Sequence, residues 1–274
     1  TPETPPLPHP ATLPAHWVAE RLRHSQEFRI AQIYSRQMEH AQELAAVVGA
    51  EAIDDLSRLT PDCDIYLFSI KDDAYRDVLR QIPFRMPVAL HTAGTVSQEV
   101  FAAFAREYGV LYPLQTFSKH TDLFNLEVPL CVENNHINEN SDMTMRLAKT
   151  LSDTCHIVCE EQRAVLHLAA VFANNFSNAM ASIADDILKS DGMDINILLP
   201  LMRQTIEKLH TLSPAEAQTG PAARGDRTVM DKHLKMLPDE KTRAIYTIIS
   251  DYIMNNTGGK QNLSDKQTET AESN

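Results

Sequence analysis

Long apolar runs are missing from this chain of 274 residues. No segment approaches the roughly 18 uncharged residues that a membrane-spanning helix needs. Residues 1–10 have neither the basic start nor the apolar centre of a signal peptide. A surplus of positive charge is missing too, because the formal net charge is -12, and phosphate backbones bind basic surfaces. We therefore expect a cytoplasmic protein whose partners include neither a membrane nor a nucleic acid.

Cysteines are few, and the sequence contains only Cys63, Cys131, Cys155 and Cys159. The last two enclose His156 in a C-x3-C spacing that resembles part of a zinc site. A zinc site needs about four ligands in recognisable clusters, and the sequence contains no second cluster. We interpret the thiols as buried side chains and predict no metal site.

Glycine is absent before Gly49. A nucleotide-binding doubly wound domain normally begins with a strand, a Gly-rich turn and a helix, because only glycine lets the backbone approach the pyrophosphate closely. Residues 15–25 predict that helix, but its strand and glycines are missing, and Pro10 and Pro14 remove two backbone donors. Three explanations stay open. Another segment fills the place of the first strand, the sheet is split, or this N-terminal segment is not the one with which the fold evolved.

Apolar runs alternate with helical patterns in the first half, which predicts a Rossmann-like α/β domain with a parallel sheet over residues 15–137. The predicted strands are nearly continuous in apolar residues, as in a sheet covered on both faces. They cover residues 28–34, 64–70, 86–92, 109–113 and 129–133. Between them, residues 35–49 and 71–82 predict amphipathic helices, the first ending at Gly49.

Strand signals almost vanish after residue 138, so residues 138–254 are predicted to form an all-α domain. Its helices are expected over residues 141–153, 160–189, 194–211, 227–236 and 240–254. The two ends differ from both domains. Residues 1–14 contain six prolines and residues 255–274 are polar, which predicts a flexible segment and a disordered tail.

The helix predicted over residues 160–189 has a polar stripe. Arg163, His167, Asn174 and Asn178 return to nearly one azimuth at about 100° per residue. Apolar residues cover the other faces, which predicts a buried helix, and a buried polar group needs a partner or a wet cavity. The stripe therefore lines a ligand-binding cleft, or it forms an internal hydrogen-bond network or a subunit seam.

Polar residues also stand at the ends of two predicted strands, on the edge where ligands of open α/β sheets bind. Ser35 and Arg36 follow the first strand, where an Arg accommodates the 2′-phosphate of NADP; alternatively, Ser35 caps the next helix. His91, Thr92 and Gly94 form a second candidate contact for the cofactor, or a plain loop.

Two more loops contain candidate contacts for a small-molecule substrate. Gln115 follows the strand over residues 109–113, together with Thr116, Ser118 and Lys119. Gln218, Thr219 and Arg224 lie in the helix-breaking loop 212–226. Loops this rich in polar groups are often functional, although packing between domains explains the second loop nearly as well.

The motifs together resemble an uncharacterised bacterial family. The resemblance runs from about Ala15 to about Met254 and is carried by SR, HTAG, YPLQTFSK, EQR with LHLAAVFANNFSN, and AQTGPAARGD. Members join an N-terminal Rossmann-like domain to an all-α C-terminal domain of unknown function and are provisionally named NADP oxidoreductases. Their architecture is similar to that of 6-phosphogluconate dehydrogenase and pyrroline-5-carboxylate reductase.

The resemblance implies an NADP-dependent oxidoreductase that acts on a small carbonyl or imine compound. It implies that His167 and Asn174 are catalytic, that Arg163 and Arg224 anchor an anionic substrate, with Asn178 nearby, and that the α domain forms a homodimer. The family's Gly-x-Gly-Asn turn is absent here. A second hypothesis is therefore a degenerate Rossmann scaffold without cofactor, which serves as a small-molecule-binding or protein-interaction module.

Overall fold

The structure is a computed structural model that describes residues 13–118, 122–135 and 143–271, with side chains as far as residue 256. Residues 1–12 of the proline-rich segment and Lys119 lie outside the described residues. The chain divides into two compact units, the first ending at Asn175 and the second beginning at Phe176.

The first unit contains the strands. They are β1 (Gln32–Tyr34), β2 (Glu51–Ile53), β3 (Ile65–Phe68), β4 (Met86–His91), β5 (Ala105–Pro113), β6 (Leu130–Asn134) and β7 (Cys155–Ile157). All neighbouring strands pair in parallel except β5 and β6, which are antiparallel. The predicted parallel-dominant α/β fold is confirmed.

The described sheet is split. β1 pairs with β2 in a sheet of two strands, and β3 is the edge of a second sheet that continues through β4, β5 and β6 to β7. Helix α1 (Leu13–Leu22) contacts α2 (Met38–Val48) and α4 (Met143–Leu151), as the helix after a first strand would. Among the described residues no strand joins β1 to β3. The described residues thus form two separate sheets, and because residues 1–12 lie outside them, the three explanations stay open.

The prediction that strands end before residue 138 was wrong. β7 begins at Cys155, and Leu130 of β6 lies opposite it in parallel register. The short strand has a physical basis, because the partly buried Cys155 and the β-branched Ile157 can extend a sheet whose neighbouring strand is already buried. β2, of three residues, was likewise too short to be predicted.

Two hydrophobic clusters cover the five-stranded sheet. Leu90 and Ala89 are neighbours in β4, and they belong to different clusters because successive side chains of a strand point to opposite faces. The first cluster joins α1 and α4 to β4, β5 and β6, with Trp17 at 1% exposure in it. The second cluster joins β3 to α3 (Tyr75–Leu79) and to the turn Gln98–Phe101. The sheet is therefore covered on both faces, as its continuous apolar strands predict.

The long helix predicted over residues 160–189 is interrupted. α5 (Glu160–Ala170) leads into a π-helical turn (Val171–Phe176), and α6 (Ser177–Ser190) follows. The hydrogen bonds of a π turn span one residue more than those of an α-helix, so the azimuths assumed for Asn174 and Asn178 are not maintained. The prediction of a buried helix was also wrong within this single chain, because Val165, Leu168 and Phe172 are 59% to 68% exposed.

The second unit is helical in its described residues. After α6 come α7 (Leu199–Lys208), α8 (Pro214–Ala217), α9 (Arg227–Met236) and α10 (Glu240–Ala271). α9 has the bounds that the sequence predicts. α10 continues beyond the predicted end at residue 254, because its next seventeen residues contain no proline, and two glycines weaken a helix without excluding it. No helix in the described ranges has the length and apolar character needed to cross a membrane.

Candidate functional site

Successive turns of α5 contact the chain segment that follows β4. Ser97 donates a hydrogen bond of 2.6 Å from its hydroxyl to the carboxylate of Glu160. Arg163 and His167 reach Gly94 of the same segment. The helix begins where it does because its N-cap, Cys159, forms a capping box with Gln162. One face of α5 is thereby fixed against the carboxyl end of β4.

Arg163 is buried, and its Nε and Nη1 bond to neighbouring protein groups, whereas its Nη2 has no hydrogen-bond partner among the described residues. Its side chain is 1% exposed, and its Nε donates to Glu133 Oε2 at 3.0 Å. Its Nη1 donates to the carbonyl oxygens of Gly94 at 2.8 Å and Ala93 at 3.4 Å. Burial raises the pKa of Glu133, and the hydrogen bond and charge of Arg163 oppose that rise. Arg163 thus holds the turn after β4, and its contact with a substrate anion stays a prediction.

His91 lies beneath this turn and is 0% exposed. Val110 of β5 lies opposite His91 in register, and Glu133 lies opposite Val110 on the other side. The Nδ1 of His91 accepts the Ala93 amide proton at 3.2 Å. Burial and, secondarily, the charge of Arg163 lower the pKa of His91 to about 3. His91 is therefore a neutral core residue; its Nε2 has no hydrogen-bond partner among the described residues, and its contact with a cofactor stays a prediction.

His167 is the half-buried member of this face. Its Nδ1 lies 2.9 Å from the hydroxyl oxygen of Tyr112 in β5, with the ring centroids 5.8 Å apart at an interplanar angle of 63°. A side-chain Cβ at Gly94 would lie 2.7 Å from the same nitrogen, so glycine leaves the space that the imidazole occupies. Because Tyr112 occupies Nδ1, Nε2 is the ring nitrogen that remains for a ligand.

The turn after β4 is also tied to the end of β3. The hydroxyls of Thr92 and Ser69 are 3.2 Å apart, and Thr95 donates to Asp72 Oδ2 at 2.5 Å. Thr92 and Gly94, both predicted as cofactor contacts, thus belong to a turn held from two sides. A turn fixed in this way loses little conformational freedom when a ligand binds.

The end of β1 contains the other predicted cofactor contacts. Ser35 accepts the amide proton of Gln37 at 3.3 Å, while Gln37 is the N-cap of α2. Ser35 therefore forms a local turn and does not cap the helix. Arg36 is exposed, and no hydrogen bond or ion pair joins its guanidinium to any described residue. The free guanidinium suits a phosphate group.

The remaining predicted contacts are exposed. Gln115 stabilises its own loop, donating to the carbonyl of Glu127 at 2.9 Å and accepting from the Thr116 amide at 2.8 Å. Asn174 lies in the π turn of the first unit. The other four contacts belong to the second unit, where each side chain is exposed; they are Asn178, Gln218, Thr219 and Arg224.

Two site residues were not predicted, namely Tyr112 and Glu133. A signal for Glu133 was present, because a carboxylate at the end of an otherwise apolar strand requires a partner, and Arg163 was already suspected to be buried. Tyr112 has no comparable signal. A tyrosine in an apolar strand is ordinary core composition.

Comparisons with known proteins agree with this architecture. Residues 128–253 match a family described as a domain of unknown function, DUF2520. A Bacteroides fragilis protein, BF3122, provisionally named an NADP oxidoreductase, is 38% identical over 88% of this chain and 94% of its own, with a TM-score of 0.80. Among curated protein sequences, none matches this chain.

Two more distant structures share the fold alone. The pyrroline-5-carboxylate reductase of Streptococcus pyogenes is 14% identical over 88% of this chain and 94% of its own, with a TM-score of 0.55. A reductive aminase of Aspergillus terreus in complex with NADPH and ethyl-5-oxohexanoate is 12% identical over 80% and 73%, with a TM-score of 0.56. The expected architecture, Rossmann-like followed by helical, is confirmed.

Proposed function

This chain belongs to the DUF2520 family, and from that premise we propose that it is an NADP-dependent oxidoreductase that reduces a small carbonyl or imine compound. The observation that carries the proposal is the pair of His167 and Tyr112 beside a fixed turn at the carboxyl end of the sheet. Ligands of open α/β sheets bind at that edge. The reductase and the aminase of the same fold act on such groups or are shown with such a ligand, which supports the substrate class.

NADPH, when bound, supplies the hydride of such a reaction. Arg36 and Ser35 would hold its 2′-phosphate, and the turn at Thr92 and Gly94 would lie beside the nicotinamide. These residues fit the group, since Arg36 has an exposed guanidinium without a described partner. The pyrophosphate end fits less well, because α1 has a proline in its first turn in place of a glycine-rich approach.

His167 is the proposed proton donor. The protonated imidazole gives the proton on Nε2 to the carbonyl oxygen of the substrate as the carbonyl carbon is reduced, and the ring becomes neutral with its remaining proton on Nδ1. Nε2 takes up a proton again from water before the next turnover. Histidine suits this role because its ordinary pKa lies near neutrality. Asn174 would donate a hydrogen bond to the substrate. Further substrate contacts are proposed for three exposed amides, one hydroxyl and one guanidinium, namely Gln115, Asn178, Gln218, Thr219 and Arg224.

A titration calorimetry experiment tests the cofactor. We expect NADPH to bind at least about tenfold more tightly than NADH, which corresponds to about 1.4 kcal/mol for the phosphate contact. Arg36→Ala should abolish this preference. Arg29→Ala is the matched control, because Arg29 is an exposed arginine in the segment that leads into β1, and it should bind as the wild type does.

A second function has an observation in its favour, the split sheet without a glycine-rich turn. In that case the chain is a scaffold that binds another small molecule or a protein partner and no dinucleotide. Folded protein that shows no heat of binding with millimolar NADPH or NADH would favour this function and contradict the first.

We further propose a homodimer formed through the α domain. Large apolar side chains are exposed on several helices, including Leu199, Met202 and Ile206 on one face of α7. Monomeric proteins rarely expose large contiguous apolar patches. Light scattering coupled to size exclusion should give twice the mass of the chain. Ile206→Asp should give a monomer, while Gln204→Asp, on the polar face of the same helix, should stay dimeric.

A further inference from the structure

The hydroxyl of Tyr112 has a single described hydrogen-bond partner. Its oxygen lies 2.9 Å from Nδ1 of His167, and no other described group bonds to it. Cys131 lies opposite Tyr112 on β6, and its thiol is at most a weak acceptor. The proton of the phenol therefore has one good acceptor in reach, the imidazole nitrogen.

The protonation states of the two rings follow from this contact. Burial raises the pKa of Tyr112 above its ordinary value, so the phenol keeps its proton at neutral pH. A neutral imidazole has one nitrogen that donates and one that accepts. If the phenol donates to Nδ1, the proton of the neutral ring must be on Nε2.

The turn after β4 restricts the position of the imidazole. Gly94 leaves the space for the ring, since an added Cβ would approach Nδ1 to 2.7 Å and Cε2 of Tyr112 to 3.1 Å. The carbonyl of Gly94 is held by Arg163 at 2.8 Å. Neither ring can shift far toward the turn without overlap.

We infer that Tyr112 is a positioning residue, which donates to Nδ1 of the neutral His167 ring and holds Nε2–H toward the substrate. This inference deepens the proposed function and rests on it for its catalytic consequence. When the ring is charged, Nδ1 donates and the phenol oxygen accepts, because a hydroxyl can do either. Tyr112 thus serves both charge states of His167 without moving the ring, and Nε2 has a proton in each until it passes that proton to the substrate.

Heteronuclear NMR of the histidine ring nitrogens tests the tautomer in the full chain without any substrate. The His167 signals are identified by their loss in His167→Gln. At about pH 8, the wild type should show a protonated Nε2 and an unprotonated Nδ1. Tyr112→Phe should show a mixture of both tautomers. Tyr108→Phe is the matched control, because it removes another hydroxyl of β5, one bonded to Glu99 at 3.1 Å, and it should leave the His167 signals unchanged.

A kinetic measurement separates positioning from simple packing. With NADPH and an accepted carbonyl compound, Tyr112→Phe should lower kcat on the order of 10-fold, a part of what a general acid contributes, and leave KM nearly unchanged. A wild-type ring protonated on Nδ1, or a tautomer unchanged in Tyr112→Phe, overturns the inference. A changed tautomer with unchanged kcat overturns the catalytic part alone. Absence of any turnover contradicts the proposed function, while the NMR result still decides the tautomer.

Discussion

The carboxyl ends of β4 and β1 both present polar residues at the edge where α/β sheets bind ligands. The polar side chains are fixed by hydrogen bonds at the end of β4, whereas Arg36 at the end of β1 is not. At the end of β4, Arg163 is buried and holds two carbonyl oxygens of the turn. At the end of β1, Arg36 is exposed and unattached to the described residues, on a strand of three residues with one neighbour. The two arginines thus have different roles. Helix α5 covers the end of β4, whereas none of the described helices fixes Arg36 at the end of β1.

The largest expected effect compares the two arginines directly. Arg163→Met leaves the Glu133 carboxylate buried without its partner and two carbonyl groups without a donor. Breaking a buried ion pair from one side costs about 3–5 kcal/mol. Arg36→Met is the same change at the exposed end and should stay within about 0.5 kcal/mol. Urea unfolding followed by circular dichroism measures both.

A double variant sharpens this test. Arg163→Met/Glu133→Met contains no unpaired buried charge, so it should recover part of the stability that Arg163→Met loses. If Arg163→Met and Arg36→Met lost equal stability, the claim that Arg163 stabilises the turn after β4 would be wrong. A double variant less stable than Arg163→Met would show that the ion pair is not what holds this turn.

The second effect concerns His91 and pH. The unfolded chain takes up a proton on this residue below about pH 6.5, whereas the folded ring, with a pKa of about 3, stays neutral. The unfolded state binds more protons across this window, so stability falls as pH falls. From about pH 7.5 to pH 5 the loss from this one residue is about 2 kcal/mol.

His91→Gln removes that titration while its amide oxygen can still accept the Ala93 proton. Urea unfolding at several pH values should therefore give a shallower pH dependence for His91→Gln than for the wild type, whatever the absolute stability of the variant. His156→Gln, an exposed histidine in β7, should keep the wild-type slope. Parallel slopes for all three proteins would mean that His91 is not held neutral by burial.

The difference between the two ends also shows what the sequence could predict. Arg163 and His167 lie one turn apart in a regular helix, so their common face followed from the spacing alone. The position of Asn174 could not be predicted in this way, because it lies in a π turn, and the residue pattern does not indicate the hydrogen bonds of such a turn.

Long-range pairing sets a second limit on prediction. Glu133 and Arg163 are thirty residues apart, and their contact depends on where α5 crosses the antiparallel pair of β5 and β6. The position of α5 against these two strands is fixed by packing in three dimensions, which the sequence pattern does not show. The exposure of Val165 and Leu168 has a related cause, since a pattern shows that a helix is apolar and does not show what covers it.

The smallest expected effect is the energetic coupling between Gly94 and His167, about 1 kcal/mol. Gly94→Ala should cost about 1–3 kcal/mol as overpacking, because the new Cβ would lie 2.7 Å from Nδ1. In a His167→Ala background most of that overlap is gone, so the cost should fall by about 1 kcal/mol, a coupling usual for residues in contact. Gly192→Ala is the control. Its cost comes from the backbone, which has a φ of 74°, and not from contact with a neighbour, because no atom lies within 4 Å of the new Cβ. Its cost should be the same in both backgrounds. Additive costs for Gly94→Ala and His167→Ala would mean that the turn does not hold the imidazole, and the end of β4 would then be as unfixed as the end of β1.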